Sequence, residues 1–320
     1  GSTFAGGMTS GTERLTILQN GNVGIGTPTP NEQLEITGNF RLPPSTATAG
    51  IIKSGANTFI HGYGVRNFFA GVNAGNFAMT GNDNVGVGYM ALNANTSGED
   101  NTGIGREALF ANTTGQNNTA LGYQALRYNT TGYDNTAIGA YVLASNTTGY
   151  YNIAIGVGSL SFNNGTGNFN IGIGNYALSY SGGEKNVGLG HFAGNSSITG
   201  SGLTFIGHYA GYNDDYGVIT PNGLNNAAAI GYQAQVQCSN CLTLGGVGPN
   251  AVNVGIGTVT PNEKLEVNGG IRLNTTNAKP ACDSSKRGTV WLTQGGAGVK
   301  DNLEVCAKDA ADVYNWRVLY

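Results

Sequence analysis

The chain has 320 residues, of which 54 are glycine and 40 asparagine; only 10% are charged, and the formal net charge is −3. Glycine without an every-third-residue period, beside 8 prolines, excludes collagen, and 39% apolar residues with scarce charge exclude a disordered chain. No run of about 18 apolar residues is present to span a membrane as a helix, the charge balance offers no basic surface for nucleic acid, and what remains is an ordered, turn-rich repeat protein.

Residues 1–66 read as an N-terminal β segment. Arg14-Leu-Thr-Ile-Leu-Gln-Asn-Gly precedes Asn22-Val-Gly-Ile-Gly-Thr-Pro-Thr-Pro-Asn-Glu-Gln-Leu-Glu-Ile, which runs on to Gly38, Arg41 and Leu42. Leu34-Glu-Ile alternates as a strand, and Pro30 sits in the turn before it.

Residues 67–250 form the repeat domain. Asn67, Asn84, Asn101, Asn118, Asn135 and Asn152 recur at a spacing of 17, with Asn170 after 18 and Asn186 after 16. Gly71, Gly88, Gly105, Gly122, Gly139, Gly156, Gly174, Gly190 and Gly207 each fall four residues after a repeat start, the last start being Leu203. The consensus is N-[TVI]-[AG]-[IVL]-G-x-x-A-L-x-x-N-T-T-G-x-x, in nine copies over 67–211. The fourth position is apolar (Val87, Ile104, Leu121, Ile138, Ile155, Ile173, Leu189) and the third is almost always Gly or Ala. A period of two predicts a short strand with one core face and one face kept small, the small face inviting the close approach of a neighbouring subunit. The glycine after the strand suits an unusual φ or a tight backbone approach. An Ala-Leu segment follows, and Asn-Thr-Thr-Gly closes the coil through local side-chain to backbone bonds.

Seventeen residues are too few for a helical repeat and suit one coil of a parallel β-solenoid, its neighbours stacked at about 4.8 Å. Nine such coils make a rod roughly 40 Å long. Asn84, Asn101, Asn118, Asn135 and Asn152 are expected to form a side-chain ladder along it, and Gly88, Gly105, Gly122, Gly139 and Gly156 to mark the strand ends. An inserted loop spans 212–226, after which Ala229-Ile-Gly-Tyr and Leu242-Thr-Leu-Gly read as two more coil strands.

Residues 251–273 duplicate the N-terminal segment: Asn253-Val-Gly-Ile-Gly-Thr-Val-Thr-Pro-Asn-Glu-Lys-Leu-Glu-Val continues to Gly269, Arg272 and Leu273, with Leu265-Glu-Val as the strand and Pro261 in the turn. Residues 274–320 hold both tryptophans, Trp291 and Trp316. Thr289-Val-Trp-Leu-Thr, Asn302-Leu-Glu-Val-Cys and Asn315-Trp-Arg-Val-Leu-Tyr predict a small antiparallel cap, with the turn at Gly295-Gly-Ala-Gly. A cap is what an open solenoid edge requires.

The residues that could carry chemistry are few. Cys282 and Cys306 flank the cap strands and are expected to pair, closing a loop worth about 3 kcal/mol. Cys238-Ser-Asn-Cys241 is a C-x-x-C that reads as a short structural disulfide, because zinc takes four ligands and no βαβ context for redox chemistry surrounds it. Disulfides fit an extracellular compartment. No signal peptide is visible and Gly1 is not an initiator, so a processed, truncated or tagged chain is expected. Gly-Ile-Gly lacks the lysine and following helix of a phosphate loop and recurs in every coil, which makes it structural. Of the three histidines, His191 and His208 lie one coil apart and would stack; no metal or cofactor is expected. Eight N-x-[ST] sequons, including Asn95, Asn112, Asn129 and Asn146, read as turn chemistry.

Hydrolysis of a polysaccharide would need two carboxylates about 5–9 Å apart. Asp214-Asp215 is the only acidic pair outside the repeats, and adjacent loop residues usually point apart. Tyr133, Tyr150 and Tyr151 fall at the ends of successive coils and should line up on one ridge; with Tyr212, Asp214, Asp215 and Tyr216 of the inserted loop they are the candidate ligand contacts. Flat aromatics beside Asn and Thr suit a sugar, and ordinary surface or intersubunit packing is the plain alternative.

Asn118-Thr-Ala-Leu-Gly-Tyr-Gln-Ala-Leu and Asn135-Thr-Ala-Ile-Gly resemble the head repeats of the YadA-like trimeric autotransporter adhesins. That resemblance covers under half the chain and implies a left-handed parallel β-roll assembled as a homotrimer. The family's usual coil is shorter than 17 residues, and no coiled-coil stalk or membrane-anchor barrel follows the repeats. The two NVGIGT segments resemble those of phage tail fibres and tail-fibre-like surface proteins, in which they are trimeric, interlocked β-structure. Together these imply an all-β, extracellular, homotrimeric fibre, not an enzyme, that serves as a spacer and adhesion element. Its expected partners are itself and a host cell-surface glycan or receptor, with neither nucleic acid nor membrane insertion. A self-assembling adhesin or filament subunit joined end to end is the alternative reading, and a polysaccharide depolymerase the third.

Overall fold

A computed structural model describes residues 15–162, 165–195, 199–212, 221, 223–246, 251–271, 279–294, 300–309 and 311–319. The chain divides into two compact units, Gly1–Ala251 and Val252–Tyr320. The fold is all-β: among the described residues the only helical element is a 3-10 turn at Ser284–Lys286.

In the first unit, β1 (Leu15–Ile17) runs antiparallel to β2 (Val23–Ile25), which pairs in parallel with β3 (Leu34–Ile36). The next sheet has 13 strands. It begins with the antiparallel pair β4 (Ile52–Ser54) and β5 (Asn57–His61), and β5 is in turn antiparallel to β6 (Phe68–Ala70). It continues as β7 (Val85–Val87), β8 (Thr102–Ile104), β9 (Thr119–Leu121), β10 (Thr136–Ile138), β11 (Ile153–Ile155), β12 (Ile171–Ile173), β13 (Val187–Leu189), β14 (Thr204–Ile206), β15 (Ala228–Ile230) and β16 (Leu242–Leu244). From β6 onward every pairing is parallel and in register, which gives a β-solenoid of about ten turns. The parallel coils start with β6, in the repeat that opens at Asn67, and the antiparallel β4–β5 pair, from Ile52, covers their first edge.

Each coil is bonded to the next on several sides. At the strand, the buried Asn118 accepts from the Asn135 backbone N–H at 3.1 Å and from Asn135 Nδ2 at 3.1 Å, while its own Nδ2 donates to the Gly132 carbonyl at 2.9 Å. The same pattern runs through Asn84, Asn101 and Asn135, and Asn152 keeps it except that it accepts only the backbone N–H of Asn170. A second ladder runs beside the first, the two meeting at the Gly115, Gly132 and Gly149 carbonyls: Nδ2 of Asn112, Asn129 and Asn146 donates to Oδ1 of Asn95, Asn112 and Asn129 at 2.7, 2.8 and 2.7 Å. Thr96, Thr113 and Thr130 hydroxyls donate to the threonine carbonyl one coil on, at 2.9 to 3.0 Å.

The strand faces are the reverse of the sequence expectation. The small third position points inward and the apolar fourth position points out: Ala120 and Ala137 are fully buried, whereas Leu121 and Ile104 are 45% and 38% exposed. The core is filled from the opposite wall by the leucine of the Ala-Leu turn. Leu92, Leu109, Leu126, Leu143, Leu160 and Leu178 are all fully buried, and a Cβ added at Gly103 would lie 3.4 Å from Leu92 Cγ. Where the strand carries phenylalanine, the turn carries glycine: Phe69 faces Ala74-Gly75, and Phe205 faces Ala210-Gly211, where a Cβ on either glycine would strike the ring. The lumen is too narrow for a large side chain from both walls of one coil, which is why the third position is small where the turn supplies a leucine.

The turn that delivers the leucine is sharply bent. Glu107, Leu109, Gln124, Leu126, Tyr141 and Leu143 all adopt φ between 49° and 59°, a left-handed conformation that costs a non-glycine residue roughly 1–2 kcal/mol. Burial of the leucine and bonds such as Leu109 N–H to the Ala125 carbonyl (3.0 Å) hold it there. At Gly122, φ is +141° and a Cβ would lie 2.6 Å from the Gly139 carbonyl carbon, so only glycine fits the strand end.

In the second unit, β17 (Val254–Ile256) pairs in parallel with β18 (Leu265–Val267), repeating the β2–β3 arrangement down to the bond from Asn253 Nδ2 to the Pro261 carbonyl, 3.0 Å, matching Asn22 to Pro30, 3.0 Å. Arg272 and Leu273 lie outside the described residues, as do Arg14 and the Gly295-Gly-Ala-Gly turn. β19 (Val290–Thr293), β20 (Asn302–Lys308) and β21 (Tyr314–Val318) form the predicted antiparallel sheet. Cys282–Cys306 and Cys238–Cys241 are both disulfides, as expected.

Two consequences can be measured. Leu126→Ala should destabilise the fold by about 2–5 kcal/mol, read by chemical denaturation, while Leu121→Ala, on the outward face, should cost far less in an isolated chain. Loop lengths make Cys282→Ser cost about 3.5 kcal/mol and Cys238→Ser about 2; comparing the two variants by thermal unfolding under non-reducing conditions checks the order.

Candidate functional site

The outside of the solenoid carries the features able to meet a partner. On the strand wall, the first and third residues of each strand project outward. Ile104, Leu121, Ile153, Ile173 and Ile206 are 36–45% exposed, and Thr102, Thr119, Thr136 and Thr204 alternate with them. From β6 to β16 not one of these outward positions is charged. Surfaces of such length and apolar character on soluble proteins mark interaction sites.

On the turn edge the coils stack aromatic rings. Tyr133 and Tyr150 stack, with ring centroids 4.8 Å apart and planes within 3° of parallel. Tyr151 meets both edge-on at 5.6 and 5.5 Å and stacks on Phe169 at 5.2 Å. The predicted ridge is thus present, joined by Phe169. One face of Tyr133 and one of Tyr150 are taken up by each other, and Phe169 meets Tyr150 edge-on at 5.4 Å. Burial against these neighbours, followed by the Tyr150 and Tyr151 hydroxyls, pushes the Tyr133 phenol up.

A second column escaped the sequence reading. Tyr176, Phe192 and Tyr209 stack in sequence at 5.2 and 5.4 Å, and Tyr212 leans on Phe192 and Tyr209 at 5.5 and 5.1 Å. Beside it, His191 Nδ1 is 2.8 Å from His208 Nε2. The signal was the 17- and 16-residue spacing of these positions, the same period that revealed the asparagines. Tyr212 is therefore placed away from the Tyr133 ridge, and Asp214, Asp215 and Tyr216 lie outside the described residues. The sequon asparagines Asn95, Asn112, Asn129 and Asn146 are fully buried in the second ladder, so turn and ladder chemistry accounts for them.

Further toward the first coils, Arg106 sits between the Tyr89 and Tyr123 rings, 5.5 and 5.8 Å from their centroids. Buried Glu107 accepts from Gln124 Nε2 at 2.8 Å. Arg127 Nε is 2.9 Å from Glu107 Oε2, close enough for a charge pair although its N–H is not aimed to form a hydrogen bond. Burial works to raise the Glu107 carboxyl, but the Gln124 bond together with the Arg127 and Arg106 charges outweighs it and holds the carboxyl below its ordinary value of 4.5.

Among the described residues, no three His, Cys, Asp or Glu side chains converge to hold a metal, and no helix is long and apolar enough to cross a membrane. No protein-family model, curated protein or solved structure matches the chain.

A depressed carboxyl contributes stability that is present above its ordinary value and lost as pH falls through the folded value. Glu107 should therefore stabilise the chain above about pH 4.5 and cease to do so in acid. Glu107→Gln should lower stability at pH 7 and flatten its fall between neutral and acid pH, as followed by thermal unfolding across pH.

Proposed function

We propose that the chain is a segment of an extracellular homotrimeric fibre, with left-handed coils, acting as a stiff spacer and adhesion element. The observation that carries this reading is the uncharged, apolar outward wall of β6 to β16. An isolated chain leaves that wall in water, although it is as regular as a core. A surface with one rung per coil is matched along its length only by another surface of the same period, and a further copy of this chain supplies one. Three copies would bury the strand walls on a common axis and leave the turn edges outward. The Tyr133, Tyr150 and Tyr151 ridge and the loops would then be displayed three times over, so that weak contacts with a cell-surface glycan or receptor add through effective concentration.

The alternative, a subunit that adds end to end, is favoured by one feature. Among the described residues, β4 and β16 each pair on one side only, and unpaired strand edges template further pairing.

Light scattering on the purified chain tests the reading. The expected particle has three times the 32.9 kDa chain mass and a finite length, and Leu121→Lys combined with Ile155→Lys should reduce it to one chain. A monomeric native chain would overturn the trimer, and long filaments at native pH would favour the end-to-end alternative. In the trimer, Tyr150→Ala should lower retention on a glycan array without changing the mass.

A further inference from the structure

We propose that His191 and His208 form a binding site for a late first-row divalent cation, with Cu(II) preferred over Ni(II) and Zn(II). The two imidazoles occupy the same position of adjacent coils, 17 residues apart, and face each other with Nδ1 of His191 2.8 Å from Nε2 of His208. Two neutral rings can make that contact only if one nitrogen donates and the other accepts, so a single proton is shared between two good ligand atoms. A cation replaces that proton. Two nitrogens at about 2.0–2.1 Å from one ion and at 90–109° to each other lie about 2.8–3.4 Å apart. The observed separation is the lower end of that range; with ring centroids 5.0 Å apart the two rings meet nearly head-on, so a turn of each exposed ring is what aims both nitrogens at one ion, and Cu(II) leads the affinity order for nitrogen ligands.

The scaffold supports this use. The backbones beneath the rings are fixed: Tyr209 N–H donates to the His191 carbonyl and Gln233 N–H to the His208 carbonyl, both at 3.0 Å. Phe192 stands edge-on to His191 with centroids 4.3 Å apart, and Tyr209 and Tyr232 pack on His208 at 4.2 and 5.6 Å, so the rings are held close without being covered. Both rings are exposed, so water would complete the coordination of a bound ion. The site needs no assembly of chains and stands independently of the fibre reading.

The chain itself makes the test clean. His61, the only other histidine in the sequence, is 3% exposed, with Nε2 2.7 Å from the Ala74 carbonyl and Nδ1 3.3 Å from the Tyr63 amide. Its ring is thus occupied and cannot compete. The 320-residue chain is titrated with copper sulfate at pH 7.5 in a non-coordinating buffer, then with nickel, zinc and magnesium chlorides. Calorimetry, thermal unfolding and the electron paramagnetic resonance spectrum of Cu(II) are recorded. The expected result is one Cu(II) per chain, nitrogen hyperfine structure from two imidazoles, a raised unfolding midpoint, weaker effects of nickel and zinc, and none of magnesium. His208→Gln and His191→Gln should each abolish the shift while leaving the metal-free midpoint near that of the native chain. Should either variant fold poorly, the hyperfine pattern of the native chain decides alone. A native midpoint that copper does not raise, a spectrum with one nitrogen or none, or a shift that survives in His208→Gln would overturn the proposal.

Discussion

The buried asparagine amide at the start of each coil is the contact on which the rest of this fold depends. Its Oδ1 accepts from the next coil's backbone, and its Nδ2 reaches across its own coil to a loop glycine carbonyl. One side chain thus fixes both the stacking register and the width of the coil. Left unpaired in a dry interior, either end would cost about 1–3 kcal/mol, so the register cannot drift by a residue. Coil length can still vary where the amide does not look. The extra residue before Asn170 lengthens the Asn152 loop bond from a separation of 14 residues to 15; the Asn170 backbone N–H still donates to Asn152 Oδ1, and Asn170 Nδ2 donates to the Gly183 carbonyl. The second ladder is less forgiving, and Asn146 Oδ1 has no partner among the described residues at the point where the loop changes.

With register fixed, the lumen becomes a problem of volume. Each coil encloses a narrow slot between the strand and the turn, and it admits a leucine from the turn or a phenylalanine from the strand, but not both. The exchange at Phe69 with Gly75, and at Phe205 with Gly211, shows the slot keeping its content while the wall that supplies it switches. The left-handed turn residues arise from the same demand, because a leucine must be turned inward from a chain that has almost no length in which to do it.

What the inside consumes decides what the outside can offer. Small residues are drawn inward, so the branched apolar residues of the strands are left facing out in unbroken columns. Charge is nearly absent from the coils, and where it occurs it is folded into the ladder logic, as with Arg106 between two tyrosines and Glu107 among Gln124 and the arginines. The turn edge repeats its chemistry at the coil spacing, so any residue type placed there in successive coils becomes a stack, whether tyrosine, phenylalanine or histidine.

The 17-residue period by itself determined the strand positions, the parallel stacking, the first asparagine ladder and the glycines at the strand ends, because a repeat that recurs in register has few ways to bond to its copies. The two disulfides and the three-stranded C-terminal sheet were legible from alternation and cysteine spacing. Of the candidate site, the alignment of Tyr133, Tyr150 and Tyr151 was readable, since it needs only the period. The second asparagine ladder and the Tyr176, Phe192 and Tyr209 column were written in the same period but disguised, one as sequons and the other as scattered aromatics. Only the tertiary structure decided which face of the strand is the core. Alternation says that two faces differ and is silent on which is inside; that depends on what fills the space opposite, and the buried leucine of the turn fills it.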